Sequence, residues 1–185
     1  MRRNTFLLLA AAVLIAAAFP PKIYASSRIA ASSAAFIQTP QSVVVDKRVE
    51  ILQGYLAERN SPLTNEASTF VSEADKYNLD WKLVAAISGV ESGFGQNIPS
   101  GSYNGWGWGI YGTHRYNFAS WQAAISEVSS GLRQNYIDKW GAQDVYGIGR
   151  IYAADPNWAN KVEHYMQQID AYYQYRLNTT LSISI

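Results

Sequence analysis

The acidic residues of this chain are unevenly spread, and the gap between two of them points to a chemistry. Glu91 is followed by no Asp or Glu until Glu127. The stretch between is rich in glycine and aromatic residues instead: Gly93-Phe94-Gly95, then Tyr103-Asn104-Gly105-Trp106-Gly107-Trp108-Gly109-Ile110-Tyr111. A carboxyl group among apolar neighbours keeps its proton to higher pH, because burial disfavours the charged form. The negative end of a helix dipole acts in the same direction. Both favour a carboxylic acid still protonated near neutral pH, the state a general acid needs. An isolated Glu at a helix end is more often a solvated surface residue than a catalyst. What sets Glu91 apart is the carboxylate-free aromatic stretch that follows it.

Other chemistries find little support. Two histidines, His114 and His164, and no cysteine are too few soft ligands for a zinc site, so no metal and no cofactor is expected. No G-x-S-x-G nucleophile elbow is present. Gly107-x-Gly109-x-x-Gly112 matches a dinucleotide fingerprint in letters, but an Asn/Gly/Trp loop precedes it and Thr-His-Arg follows it. That fingerprint needs a strand before and a helix after. A lone acid facing an aromatic loop suits glycosidic chemistry, for which most enzymes place two carboxylates across the bond. Asp144 or Asp155 is a candidate for the second, brought in by the fold. The alternative is a single-acid mechanism, with Glu91 first protonating the glycosidic oxygen and then acting as base.

The elements that must position Glu91 can be read from caps and periodicity. Asp80 is suited to cap a helix, Trp81 to Val90 carry few breakers, and Val84, Ile87 and Glu91 share a face. Gly93 and Gly95 then end the helix. Upstream, Val43 to Arg59 reads as a helix with Val45, Val49, Leu52 and Leu56 at helical spacing, stopped by Asn60-Ser61-Pro62. Thr64 is placed to cap a second helix, Asn65 to Tyr77, with Ala67, Phe70, Val71 and Ala74 inward. Asn78 suits a left-handed link. The glycine–aromatic alternation from Tyr103 to Tyr111 predicts a short hairpin or extended strand. Ser120 caps a helix to about Ile137, with Trp121, Ile125, Val128 and Leu132 on one face. A short helix is predicted over Asp144 to Ala153. Asp155-Pro156 opens the last one, with Trp158, Val162, Tyr165, Ile169 and Tyr172 inward.

The N-terminus carries an address. Arg2 and Arg3 precede an apolar run from Phe6 to Phe19, the layout of a signal peptide. The run is short of the roughly 20 residues a membrane span needs. Cleavage after Ala25 is expected; without it the segment would serve as a membrane tether. Residues 1–25 are thus read as signal, the Ser/Ala-rich residues 26–42 as linker, 43–177 as the domain and 178–185 as a tail. The absence of cysteine excludes a lipoprotein anchor and disulfides, which fits a bacterial envelope or secreted protein. Loss of residues 1–25 removes three basic groups and takes the formal charge of +1 to −2. No basic stripe exists, so nucleic acid is not an expected partner, and a monomer is. The 6 Trp and 13 Tyr suit a core and stacking on sugar rings alike.

Three segments carry a family resemblance. Glu91-Ser92-Gly93-Phe94-Gly95 resembles the Glu-Ser motif of the lysozyme-like superfamily. Within it the motif is similar to that of the lytic transglycosylases and the bacterial endo-β-N-acetylglucosaminidases that cut peptidoglycan. Asn104-Gly105-Trp106-Gly107-Trp108-Gly109 resembles the Asn-x-aromatic-Gly segment that follows the acid in the glucosaminidases. Tyr152-Ala153-Ala154-Asp155-Pro156-Asn157-Trp158 resembles their closing tyrosine-then-Asp-Pro motif. Together these cover roughly residues 62–172.

The resemblance implies a mainly α, α+β lysozyme-like fold: a helical domain with a small glycine/aromatic lobe flanking a glycan cleft. It implies peptidoglycan glycan strands as substrate, Glu91 as catalytic acid and Tyr152 as the tyrosine that faces and assists it. Ser100 or Ser102 stands where transglycosylases place a serine that steadies acid or substrate. Tyr103, Asn104, Trp106, Trp108 and Tyr111 are expected substrate contacts. Trp106 and Trp108 also read as partly core, and Asp155 as a helix cap. Water or the 6-hydroxyl of an N-acetylmuramoyl unit is the acceptor; the latter gives an anhydro sugar. The chain replaces the Gly-Leu-Met-Gln stretch of typical transglycosylases with Gly-Trp-Gly-Ile-Tyr, which leaves both products open. A rival reading is a non-catalytic peptidoglycan- or chitin-binding module on the same fold.

Overall fold

The computed structural model describes residues 46–109 and 116–183. The signal and linker expectations lie outside these residues, as do Tyr111 and His114. Helix α1 (Lys47–Ala57) starts where Asp46 Oδ1 accepts from Arg48 N at 2.9 Å, and it buries Ile51, Leu52, Tyr55 and Leu56. Asn60 takes the left-handed turn after it, with φ +52. A single 3-10 turn, Thr64–Glu66, leads into α2 (Ala67–Lys76). The expected cap, Thr64, does not cap: its Oγ1 donates back to Ser61 O at 2.7 Å. Neither the 3-10 turn nor α2 has a side-chain cap; Ser61 braces the turn before them, its Oγ accepting from Leu63 N at 3.0 Å and donating to Phe94 O at 2.7 Å. The turn before α2 is thereby tied to the loop after α3.

Helix α3 (Leu83–Ser92) is the axis of the core. It begins two residues later than the caps suggested. Asp80 shapes a preceding turn, through Lys82 N to its Oδ1 at 2.9 Å and Leu83 N to its carbonyl at 3.0 Å. Every residue from Leu83 to Gly89 is buried. A helix apolar on all sides belongs inside a domain, and α3 packs against α2, α4 and α6. Gly93, at φ +60, stops it. Gly93 N reaches Gly89 O at 3.1 Å, the single bond of an αL glycine C-cap, and Phe94 N reaches Ser88 O at 3.0 Å.

Helix α4 (Trp121–Gly131) is capped by Ser120, whose Oγ accepts from Ala123 N at 3.2 Å. The helix reaches the expected length, but residues Leu132–Lys139 widen into a π-helix. Wide turns of this kind are rare and frequent at functional sites. Helix α5 (Val145–Tyr152) is capped by Asp144, and α6 (Trp158–Ile183) follows a turn at Asp155. Helix α6 runs on through the residues read as a tail from Asn178. It packs along α1, α3 and α5.

The architecture is mainly α, and among the described residues it contains no strand. The hairpin expected from Tyr103 is therefore absent as far as Gly109; the segment is a chain of turns. Gly107 and Gly109 take φ +60 and +65, which breaks the two-residue repeat a strand needs. The Asn104 side chain supplies the hydrogen bonds that a ladder would have made.

Candidate active site

Glu91 is the last residue but one of α3. By area the residue as a whole is exposed, yet its carboxylate is not free. Oε1 accepts a hydrogen bond from Trp158 Nε1 at 2.6 Å. Oε2 faces Gly107 so closely that a Cβ there would lie 3.4 Å away. The groups around the carboxylate, rather than the exposed area of the whole residue, decide its proton affinity. Burial raises its pKa above the usual glutamate value; the Trp158 bond and the charge of Lys161 offset part of the rise.

Trp158 is itself fixed. It is 3% exposed and stacks on Tyr152, with centroids 4.8 Å apart and planes at 22°. Tyr152 closes α5, and its hydroxyl donates to the carbonyl of Trp106. Trp106 is fully buried, its Nε1 donating to Val84 O at 2.8 Å. The structure thus links the ends of α3, α5 and α6 and the glycine loop in one hydrogen-bonded stack around the Glu91 carboxylate. Burial, then the negative charge of Glu91, push the Tyr152 phenol well above its ordinary pKa. Tyr152 therefore stays a neutral donor, and its proton is committed to the loop backbone.

The loop is held from within. Asn104, 6% exposed, donates to Trp108 O at 2.8 Å and Tyr116 O at 2.9 Å, and accepts from Trp108 N at 3.0 Å. Ser92 Oγ lies 2.8 Å from Gly105 O and accepts from Gly95 N at 2.9 Å. A Cβ at Gly105 would come 3.2 Å from that hydroxyl, a close fit that needs a shift of a few tenths of an ångström. Two non-glycine residues beside the site, Phe94 and Tyr103, hold φ +61 and +47, conformations that cost energy and recur near active sites.

The expected substrate contacts divide accordingly. Ser102, Asn104 and Trp106 are buried and shape the loop; none of them offers a surface to a sugar. Trp108 is half-buried, its ring packed on Gly131 and near Tyr136 and Tyr152. Tyr103 is 38% exposed and sits edge-on to Trp121 at 5.5 Å. Ser100 is exposed in the preceding turn. The two carboxylates considered as second acids serve helix starts: Asp144 Oδ1 accepts from Gly147 N at 2.6 Å, and Asp155 accepts from Asn157 N and pairs with Lys161 at 2.7 Å.

Two hollows flank Glu91. One, of about 430 Å³, is lined by Gly89, Val90, Asn157, Asn160, Lys161, His164 and Tyr165. The other, of about 310 Å³, is lined by Gly107, Trp108, Glu127, Asn135, Tyr136, Trp140 and Tyr152 among others. A roomier hollow of about 530 Å³ lies at the opposite end of α3, around Leu83, Arg133 and Met166, and shares no residue with this site. Sequence reasoning missed the indole bond of Trp158, the hydroxyl of Ser92 and the Glu127–Asn135–Trp140 wall. The first two were on inward or motif positions already noted; nothing in the spacing marked the third.

The fold is mainly helical, with an acid near the end of its central helix. Among solved structures it is similar to Staphylococcus aureus autolysin E. A catalytic mutant of that protein in complex with the disaccharide NAG-NAM matches at a TM-score of 0.55 and 19% identity, over 69% of this chain and 67% of that one. Its complex with the muropeptide NAM-L-Ala-D-iGlu matches at 0.52 and 17%, over 69% and 67%. In sequence the chain is 28% identical over 119 residues to two proteins of Streptococcus pneumoniae, from strains TIGR4 and R6. Both are named "Putative endo-beta-N-acetylglucosaminidase". The match takes 60% of this chain but only 18% and 17% of theirs, so the chain spans under a fifth of those relatives. No family model matches.

Proposed function

We propose that the chain is an exported, bacterial, peptidoglycan-cleaving glycosidase that cuts the β-1,4 glycan strand, with Glu91 as its general acid and base. The observation that carries this reading is the Glu91 carboxylate itself: raised in pKa by burial, held at 2.6 Å by Trp158, and turned toward the glycine loop at Gly107. The named ligands of autolysin E, a disaccharide and a muropeptide, agree with it, as does the name shared by the two pneumococcal relatives.

Protonated Glu91 gives its proton to the glycosidic oxygen. The C1–O bond breaks, its electron pair leaves with that oxygen, and a hydroxyl forms on the departing sugar. The positive charge at C1 is met by the substrate's N-acetyl oxygen. Glu91, now ionised, takes a proton from water or from a sugar 6-hydroxyl as that oxygen attacks C1, and the acid is restored. A single carboxylate suffices for both halves, consistent with Asp144 and Asp155 being occupied as caps. Tyr152 acts by holding Trp106 and Trp158 around the acid. The N-terminal arginines and apolar run support export. Glu91→Gln, which keeps the Trp158 acceptor and loses the proton, should fold and fail to solubilise purified sacculi. Full activity in that variant would remove the proposal.

A further inference from the structure

We propose that the hollow between α6 and the end of α3 holds the acidic stem peptide that branches from a peptidoglycan strand, with Lys161, His164 and Asn160 gripping a peptide carboxylate. This rests on the glycosidase reading above and adds to it a contact with the peptide of the substrate instead of with its sugars.

The polar wall of this hollow is built from donors. Gln168 Oε1 accepts from Tyr55 Oη at 2.9 Å and from Arg59 Nη2 at 3.1 Å. A guanidinium only donates, so the atom of the amide that faces Arg59 is the oxygen. The amide nitrogen then faces His164, 2.8 Å from its Nε2. Because that nitrogen donates, Nε2 accepts, and the neutral imidazole carries its proton on Nδ1. His164, which lines the hollow, is thereby set as a donor. Asn160 Oδ1 accepts from Tyr146 Oη at 3.1 Å, which leaves the amide nitrogen of Asn160 to donate. Lys161 spends one of its three donors on Asp155, at 2.7 Å. The two side chains are 57% and 41% exposed, and an ion pair so open to water is weak. The ammonium can therefore turn to a second carboxylate.

The composition of the lining selects its occupant. Among the described residues that line the hollow none is a carboxylate, and three donors, one of them charged, call for an anionic, acceptor-rich group. Gly89, Val90 and Tyr165 add an apolar floor for a small side chain. A short acidic peptide brings both features, a carboxylate and small apolar groups. At about 430 Å³ the hollow has room for two residues of it. The hollow also adjoins the acid: Val90 precedes Glu91, and the charge of Lys161 acts on the Glu91 carboxylate. A stem peptide branching from a strand that lies across Glu91 is within reach of this wall.

The test titrates three matched probes into the Glu91→Gln protein by calorimetry. One is an N-acetylglucosaminyl-N-acetylmuramoyl disaccharide with its lactyl group capped as a neutral amide. The second carries L-Ala-D-Glu on that group, and the third carries the same dipeptide with both carboxyls amidated. The acidic dipeptide should tighten binding roughly tenfold over the capped disaccharide, the size of one charge-assisted hydrogen bond. The amidated dipeptide should lose most of that gain. Lys161→Met should abolish it, and His164→Phe, which keeps a ring and removes the donor, should reduce it. Both side chains are exposed, and thermal melts check that the variants fold. Nitrogen-15 NMR should find the His164 proton on Nδ1. A proton on Nε2 overturns the donor wall. No gain from the acidic dipeptide, or an equal gain in Lys161→Met, overturns the peptide site. Cleavage of peptide-free strands by the protein with Glu91 intact would still leave the glycosidase reading standing. A charge-dependent gain that Lys161→Met abolishes, with no cleavage of any strand, would keep the peptide site and remove the enzyme. No binding of any probe, with no cleavage, removes both.

Discussion

Gly131→Ala probes how Trp108 is seated, because two opposing terms meet at that residue. Gly131 closes α4 with ordinary helical angles, φ −65 and ψ −40. Alanine there should gain about 1 kcal/mol from helix preference alone. Its Cβ, however, would stand 2.2 Å from Trp108 Cζ2 and 2.7 Å from Cη2, where carbon atoms settle at about 3.5–4.0 Å. The indole has to retreat by on the order of 1 Å. Tyr136 and Tyr152 confine it, with centroids 5.9 and 6.0 Å away, and Asn104 pins its backbone. Overpacking of this kind costs about 1–3 kcal/mol. The net effect is a destabilisation of roughly 0–2 kcal/mol and a larger loss of sacculus-solubilising activity, since Trp108 lines the groove. Trp108→Leu removes the obstacle, and in that background Gly131→Ala should stabilise by about 1 kcal/mol. Urea unfolding of the four proteins measures this coupling. Equal stabilisation in both backgrounds would show that the indole does not rest on α4.

Further consequences concern the acid and the loop. Burial raises the folded-state pKa of Glu91 above its unfolded value. Stability from this group is therefore full below the unfolded value and is lost as pH rises through the folded one. Glu91→Gln should then be more stable than wild type at neutral pH, with the gap closing in acid; thermal melts across pH decide it. Removing the Lys161 charge with Lys161→Met should move the alkaline limb of the pH–activity curve upward, because that charge favours ionised Glu91. Asn104→Ala strips the carbonyls of Trp108 and Tyr116 of their donor and should cost roughly 2–4 kcal/mol, read by denaturant unfolding. Tyr152→Phe leaves Trp106 O unpaired and should cost about 1–3 kcal/mol. Activity lost without any stability change would instead put the Tyr152 hydroxyl on substrate.

How much of this was legible depends on the distance over which each residue acts. The end of α3 is written locally: Asp80 before it, Gly93 after it, and apolar residues between, so Glu91 at its tip follows from neighbours in sequence. The starts at Ser120 and Asp144 are legible for the same reason. Periodicity puts Trp158 on the inward face of α6, but a face is not a rotamer. The indole bond to Glu91 joins residues 67 positions apart and depends on how α5 and α6 cross. The glycine alternation has the letters of a strand, but Asn104 satisfies the backbone from its side chain, a choice the letters do not reveal. The π-helical widening is equally silent, and with it the wall of Asn135, Tyr136 and Trp140. Thr64 fits a cap in the letters, but its hydroxyl turns back to Ser61 O, and the contact of Ser61 with Phe94 fixes that turn.

The most direct measurement is mass spectrometry of the fragments released from purified sacculi by wild type and by Glu91→Gln at equal folded concentration. Wild type should release muropeptides carrying new reducing or anhydro ends at the β-1,4 strand, and Glu91→Gln should release none. New glycan ends from the Glu91→Gln protein, or intact strands after treatment with folded wild type, would contradict a proton donor at the end of α3.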